Sequence, residues 1–307
     1  MRLGLRLLRA AISLWVIVTL VFVALRLTGD PVLAVLNPDD LTRDVIESFR
    51  RQWGFEGTIW DQYVVYLVNV AHGHFGRSTM NGQDALTVVL ERVPATLQLV
   101  GCSALVMLGV GVPLGTIAAL RPGSRLDGLV MAATTLGFAL PNFFLGLLLI
   151  LTFSVWLSLL PSGGTGSAAH LVMPVLTIGL AKAAIFTRFV RSGMIDALRL
   201  PCITAARARG LSETAIMVRH VAPNCLIPLV TILPLLVGAM ISAGSVVEAV
   251  FAWPGIGRLI VESVAQRNLA VVQVIILLVA ILMVTTNLIV DILYGWLDPR
   301  TAAAVAH

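Results

Sequence analysis

The sequence predicts an all-α membrane protein with six transmembrane helices. Three observations predict it: a composition too apolar for a soluble domain, six long stretches almost free of charge, and arginines gathered on one side of them. Of its 307 residues, 58% are apolar and 12% charged, against roughly 25% charged in soluble domains. The net charge of +5 comes almost wholly from arginine, since Lys182 is the only lysine. In a soluble chain that balance points to nucleic acid. Here the arginines report topology first, and no nucleic-acid partner is expected.

A helical span needs about 20 mainly apolar residues. Residues 10–25 are charge-free and continue to Leu27 past Arg26. Arg2, Arg6 and Arg9 before them look like the basic start of a signal peptide. The following "LRLTGDP" has no small-x-small cleavage site, however, so a retained anchor is expected. The second span is 93–120. Residues 128–181 carry no charge, but "PSGGTGSAAH" at 161–170 interrupts them with turn residues. That gives a third span near 129–159 and a fourth from about Leu171. The fifth is 221–247 and the sixth 269–290.

An even count puts both termini on one side, and arginines choose the side. One set of loops holds Arg2, Arg6, Arg9, Arg121, Arg125, Arg188, Arg191, Arg199, Arg207, Arg209, Arg219 and Arg300, while the short loops opposite hold Arg258 and Arg267. The positive-inside rule therefore places both termini in the cytoplasm. The expected organisation is an N-terminal segment and first span (1–28), an extracytoplasmic loop (29–92), a five-span core (93–300) with a cytoplasmic loop at 201–224, and a tail (301–307).

The long external loop is expected to hold short helices against the outer face. "DDLTRDVIESFRRQWG" sets Leu41, Val45, Ile46 and Phe49 at helical spacing, and "DALTVVLERVP" repeats the pattern before Pro94. His72 and His74 are spaced to touch a metal, but nothing nearby supplies a third ligand, so no metal site is expected. Cys102, Cys202 and Cys225 form no CxxC pair. Two of them fall on the reducing side and one within a span, which argues against a structural disulfide.

The sequence lacks the P-loop GxxxxGK[ST], the zinc motif HExxH and the nucleophile elbow GxSxG. Acidic residues inside spans are nearly absent: Glu248 sits at the outer end of the fifth and Asp291 at the inner end of the sixth. An ion-driven carrier, the alternative class, usually sets ionisable groups near the midplane. The energy source is therefore expected on another chain. Lys182 is the exception. It lies six residues before Arg188, about 9 Å from the cytoplasmic end at 1.5 Å per residue. It either snorkels to the surface or lines a substrate path. Pro141 interrupts the third span in "GFALPNFF" and predicts a kink. Asn142, Thr134 and Thr135 nearby either face a pathway or join helices.

The segment after the fourth span is unlike the rest. Pro201 stops the helix, "CITAARARG" reads as a short helix ending at Gly210, and Ser212 can cap the next one. Four readings fit this basic segment: an interfacial helix on anionic lipid, a loop whose arginines only fix topology, an RNA-binding patch, or a docking knob. The small residues Ala205, Ala206 and Ala208 before a glycine elbow favour the knob.

"TAARARGLSETAIMVRHVAPNCLIP" resembles the EAA loop of ATP-binding-cassette importer permeases, whose pattern is Glu-Ala-Ala, three residues, then Gly. Thr204, Ala205, Ala206 and Gly210 occupy those positions, with threonine for glutamate, and the later Ile-x-Leu-Pro is only loosely met at 220–223. These departures resemble the dipeptide/oligopeptide/nickel branch. So do "GDP" at 29–31, "FGRS" at 75–78, "ERVPATLQL" at 91–99, "VPLGTIAALRPGSRLD" at 112–127, "VVEAVFAWPGIGRLIVESV" at 246–264 and "VDILYGWLDPR" at 290–300. The likeness runs in order along nearly the whole chain. The long loop after the first span favours the branch's first permease subunit.

The resemblance implies a type I importer permease fold in a bacterial cytoplasmic membrane, with a coupling helix in the cytoplasmic loop. It implies a second homologous permease subunit as heterodimer partner, two ATPase subunits or one fused ATPase, and an extracytoplasmic substrate-binding protein. ATP and Mg would sit on the ATPases, with no cofactor and no catalysis in this chain. ATPase docking would fall on Thr204, Ala205, Ala206, Arg207, Arg209, Gly210 and Leu211, with Arg207, Arg209 and Arg219 pairing with ATPase acids or meeting lipid phosphate. Pro141, Asn142, Lys182 and Glu248 are the candidate pathway residues. "FAWPGIGRL" reads as an outer scoop of Phe251, Trp253, Pro254 and Gly255, as a contact for the binding protein, or as an interfacial anchor and turn. Peptides are the expected cargo, with nickel or another small solute as the alternative.

Overall fold

The computed structural model describes residues 2–27 and 57–297, and the helix expected over 39–54 lies outside them. The described residues form two compact units, one drawn from those up to 94 together with 258–288 and the other from 95–257 and those after 288.

In the first unit, α1 (Arg2–Leu27) pairs with α2 (Ile59–Ala71). The Phe22 ring lies 5.1 Å from that of Tyr63 and 5.4 Å from that of Tyr66. The Thr19 and Tyr63 hydroxyls are hydrogen bonded at 2.7 Å. A capping box starts α2: Thr58 Oγ1 accepts the Asp61 N–H, and the Asp61 carboxylate accepts the Thr58 N–H at 2.9 Å. The Thr58 hydroxyl and N–H together hold the Asp61 carboxyl below its ordinary pKa. The "DALTVVL" pattern forms α3 (Ala85–Leu90), with Asp84 accepting the Thr87 N–H at 3.1 Å. Buried Asn268 donates to Ser78 Oγ at 2.8 Å, tying "FGRS" to the turn before the last helix.

The second unit is built on α4 (Val93–Leu120), α5 (Arg125–Ala139), α6 (Asn142–Leu149), α7 (Ala169–Leu198), α8 (Pro201–Ala208), α9 (Glu213–Ile216) and α10 (Ala222–Val250). Most of α11 (Ile256–Ala265) and α12 (Leu269–Leu297), which follow in the chain, belong to the first unit. The core runs along α7, where Met173, Ile178, Phe186 and Val190 are buried with Met107 of α4 and Met240 and Val247 of α10. Helices in a membrane gain nothing from burying apolar surface against each other, so close packing must hold them. Small residues supply it. A Cβ at Gly115 would stand 2.6 Å from Val190 Cβ, and one at Gly179 would stand 2.8 Å from Val106 Cβ.

Four helices among the described residues are long and apolar enough to cross a membrane: Ala85–Leu120, Ala169–Leu198, Pro228–Val250 and Leu269–Thr286. The pair Arg125–Ala139 and Asn142–Trp156 makes a fifth if taken as one span. In α1 the apolar stretch is the shorter Leu8–Ala24. The segment expected as one kinked third span is instead a pair of helices bent by 100° at the break between them. Pro141 offers no N–H, and its ring pushes the preceding residue out of the helical region. Leu140 is accordingly extended, at φ −80°, ψ 126°, and the chain restarts its helix after Pro141.

Candidate functional site

Helix α7 ends at Leu198, and only Arg199 and Leu200 separate it from α8. Leu200 is extended, as the residue before proline should be, and Pro201 takes the first helical turn, where its missing N–H costs nothing. Ile203 and Ala206 face the core. Thr204, Ala205, Arg207, Ala208 and Arg209 are exposed. Ala206 was expected at the contact surface with Ala205, yet helical spacing turns it inward.

Gly210 closes α8 at φ +76°, the left-handed position that glycine adopts without strain. Its N–H donates to Arg207 O at 2.9 Å and the Leu211 N–H to Ala206 O at 3.3 Å. Ser212 Oγ then accepts the Ala215 N–H at 3.3 Å and starts α9. Arg207 reaches across this elbow to Glu213, donating to both carboxylate oxygens at 2.8 and 3.1 Å. That hydrogen bonding holds the Glu213 carboxyl below its ordinary pKa and raises that of Arg207. Arg207 is therefore committed within the chain. Among the described residues Arg209 and Arg219 have no ion-pair partner, and Leu211 stands 40% exposed at the apex.

The turn after α10 is the opposite case. Phe251 and Trp253 are buried, with Trp253 only 6% exposed. The Trp253 indole N–H donates to Ala95 O at 3.0 Å, and Phe251 O accepts the Gly164 N–H at 2.8 Å. Glu248 is buried. It accepts a hydrogen bond from the Thr96 hydroxyl at 2.7 Å, and Thr96 Oγ1 itself accepts the Ile256 N–H at 2.8 Å. Gly255 lies directly against the Glu248 carboxylate. Glu248, Phe251, Trp253 and Gly255 thus form one junction with the start of α4 and the 161–168 loop.

The other candidate pathway residues are not drawn into it. Pro141 is exposed at the break, and Asn142 and Lys182 are half-buried. Neither Asn142 nor Lys182 makes a side-chain hydrogen bond or ion pair with another described residue. Stacked His72 and His74 have ring centroids 6.3 Å apart, and no group of three or more His, Cys, Asp and Glu among the described residues could hold a metal. Cys102, Cys202 and Cys225 are free thiols. Sequence reasoning missed Thr96, Gly163, Asp127 and Glu213. Of these only Glu213 had a local signal, six residues from Arg207.

The described helices, with one pair bent by 100° and an exposed helix–glycine–helix elbow, resemble the fold of ABC importer permeases. The chain superposes on the inward-facing MetNI methionine ABC transporter with a TM-score of 0.56 at 20% identity, covering 69% of this chain and 96% of that one. For an amino acid ABC transporter with histidines the TM-score is 0.53 at 15% identity, covering 68% and 94%. Residues 111–303 match the binding-protein-dependent transport system inner membrane components, and the chain belongs to that family. It is 37% identical to the glutathione transport system permease protein GsiC of Escherichia coli (strain K12) over 96% of both chains. It is 35% identical to the oligopeptide transport system permease protein AppB of Bacillus subtilis (strain 168) over 89% of both. The protein is a multi-pass component of a bacterial inner membrane. It is a translocation subunit, and ATP hydrolysis belongs to separate subunits.

Proposed function

We propose that the chain is one of two homologous permease subunits of an ATP-driven importer that carries di- or oligopeptides into the cytoplasm. A binding protein outside the membrane delivers the cargo, and two ATPase subunits, or one fused ATPase, hold ATP and Mg at the cytoplasmic face. Six spans, with α1 as the first and the broken pair as the third, put both termini in the cytoplasm. The observation that carries the reading is the elbow. It exposes Thr204 and Ala205 on a short helix joined to a main span by two residues, and Arg209 and Leu211 just beyond that helix. A rigid knob on so short a tether transmits a partner's rigid-body motion to the span. The cargo reading is supported by two relatives whose names give an oligopeptide and glutathione, itself a tripeptide. Within the junction at 248–257, Glu248 acts as a positioning residue that holds the outer turn.

Three measurements test this. The assembled complex should copurify with an ATPase. Gly210→Asp, which sets a charged side chain on a left-handed elbow, should abolish binding-protein-stimulated hydrolysis while the chain still inserts. Mass spectrometry of ligands on the cognate binding protein should recover short peptides. Uptake driven by an ion gradient in vesicles without any ATPase would overturn the mechanism, and recovery of a metal chelate alone would overturn the cargo.

A further inference from the structure

Arg188 and Arg191 mark the membrane exit in the sequence, yet neither is a free topological charge. Arg191 donates Nε–H to Asp127 Oδ1 at 2.6 Å and Nη2–H to Oδ2 at 2.7 Å. Asp127 is only 4% exposed and also accepts the Gly123 N–H at 2.8 Å. One carboxylate thereby binds the turn before α5 and the flank of α7 together. About a turn along α7, Arg188 donates to Thr134 Oγ1 at 3.1 Å and to Thr135 Oγ1 at 2.5 Å. Both threonine hydroxyls donate to Met131 O, at 2.9 and 2.8 Å, which leaves their lone pairs facing the guanidinium. A bidentate arginine–carboxylate pair fixes angle as well as separation, and losing either member would strand a poorly solvated charge.

The clamp lies close to the elbow. From Arg191 to Leu198 is seven residues of helix, about 10 Å at 1.5 Å per residue, and α8 begins after Arg199 and Leu200. The other end of α5 leads into the 100° break at Pro141. A displacement of the elbow carried along α7 therefore reaches α5 through the packing of the two helices and this clamp.

We infer that Asp127 and Arg191, supported by Arg188, Thr134 and Thr135, lock α5 to α7 so that the two helices travel as one body with the elbow. They are positioning residues, since they act on the cargo route through the helices they join. The inference rests on the elbow being the ATPase-docking element proposed above.

The test uses the complete complex in liposomes, with its binding protein as isolated carrying its own cargo, and reads binding-protein-stimulated ATP hydrolysis. Arg191→Met and Asp127→Ala should copurify with the ATPase but lose stimulation at least tenfold. In a Cys202→Ser background, Asp127→Cys with Arg191→Cys should be equally uncoupled. Bridging the two thiols with a short bis-methanethiosulfonate should restore stimulation to within about twofold of the parent, and reducing the bridge should remove it again. A brace needed only for folding would not respond to a reversible bridge. A bridge that arrests hydrolysis, or an Arg191→Met complex stimulated like the parent, overturns the clamp. Where the variants fail to assemble, spin labels at exposed positions 129 and 189 of an intact clamp give the answer. Their separation should be the same in nucleotide-free and vanadate-trapped complexes, and a changed separation overturns the rigid body. If the unaltered chain recruits no ATPase, the proposed function falls, and the clamp with it for want of a motion to carry.

Discussion

The turn at 251–257 and the elbow at 201–212 both follow a long apolar helix, and both turn on glycine and proline. They solve opposite problems. The turn is closed within its own chain: its indole N–H, its Phe251 carbonyl and its neighbouring Glu248 carboxylate all have partners from the same unit. The elbow satisfies its backbone with Gly210 and Ser212 but leaves Leu211, Arg209 and most of one face of α8 exposed. A buried polar group must find its partners inside the protein. An exposed apolar and basic knob needs none in order to fold, and so is free to take one from outside. The same residue types mark structure in one place and, in the function proposed above, a contact surface in the other.

Two glycines sharpen this contrast. Gly163 has an ordinary φ, but a Cβ there would stand 2.5 Å from Phe251 O and 2.9 Å from its carbonyl carbon. Both atoms are backbone, so nothing flexible can give way. Gly163→Ala should cost about 1–3 kcal/mol through overpacking, toward the upper end. It should lower the unfolding temperature of the purified protein in detergent. An unchanged temperature would mean the junction is looser than its hydrogen bonds indicate.

Gly210 is the converse. A Cβ there meets nothing within 4 Å, and the demand comes from φ +76° alone. Gly210→Ala should cost about 1 kcal/mol in backbone strain, and Gly210→Asn less, since asparagine tolerates the left-handed region. Thermal stability should barely separate the two variants, while stimulated hydrolysis should fall more for alanine. Equal hydrolysis in both would show that the elbow's angle does not matter for coupling.

How much of this was legible follows from the range of each signal. Apolar runs are local, so the four long apolar helices and the bent pair could be read directly. The elbow could be read because proline, glycine and a capping serine each act within a few residues. Pro141 announced a kink but neither the full break nor its 100° angle. Thr96 and Glu248 are 152 residues apart and share no periodic pattern. Arg191 had a sufficient explanation in topology, which hid its pairing with Asp127. Gly163 read as one turn residue among several, because its neighbour Phe251 is visible only after folding.

The smallest effect should come from the ion pair across the elbow. The Glu213 carboxyl lies below its ordinary pKa when bound to Arg207. A lowered carboxyl stabilises the folded form above the unfolded pKa, about 4.3 for glutamate, and that contribution disappears as the pH falls through the lowered folded value. The pair should therefore be intact at neutral pH and lost only in acid. Both partners are exposed, so water and salt weaken the attraction. Glu213→Gln should raise amide exchange over 210–216 by about twofold at pH 7, after correction for intrinsic rates. High salt should narrow the difference, as should a pH below the lowered Glu213 value. Identical exchange at pH 7 would show that capping by Gly210 and Ser212 alone holds the elbow, leaving Arg207 available to a partner after all.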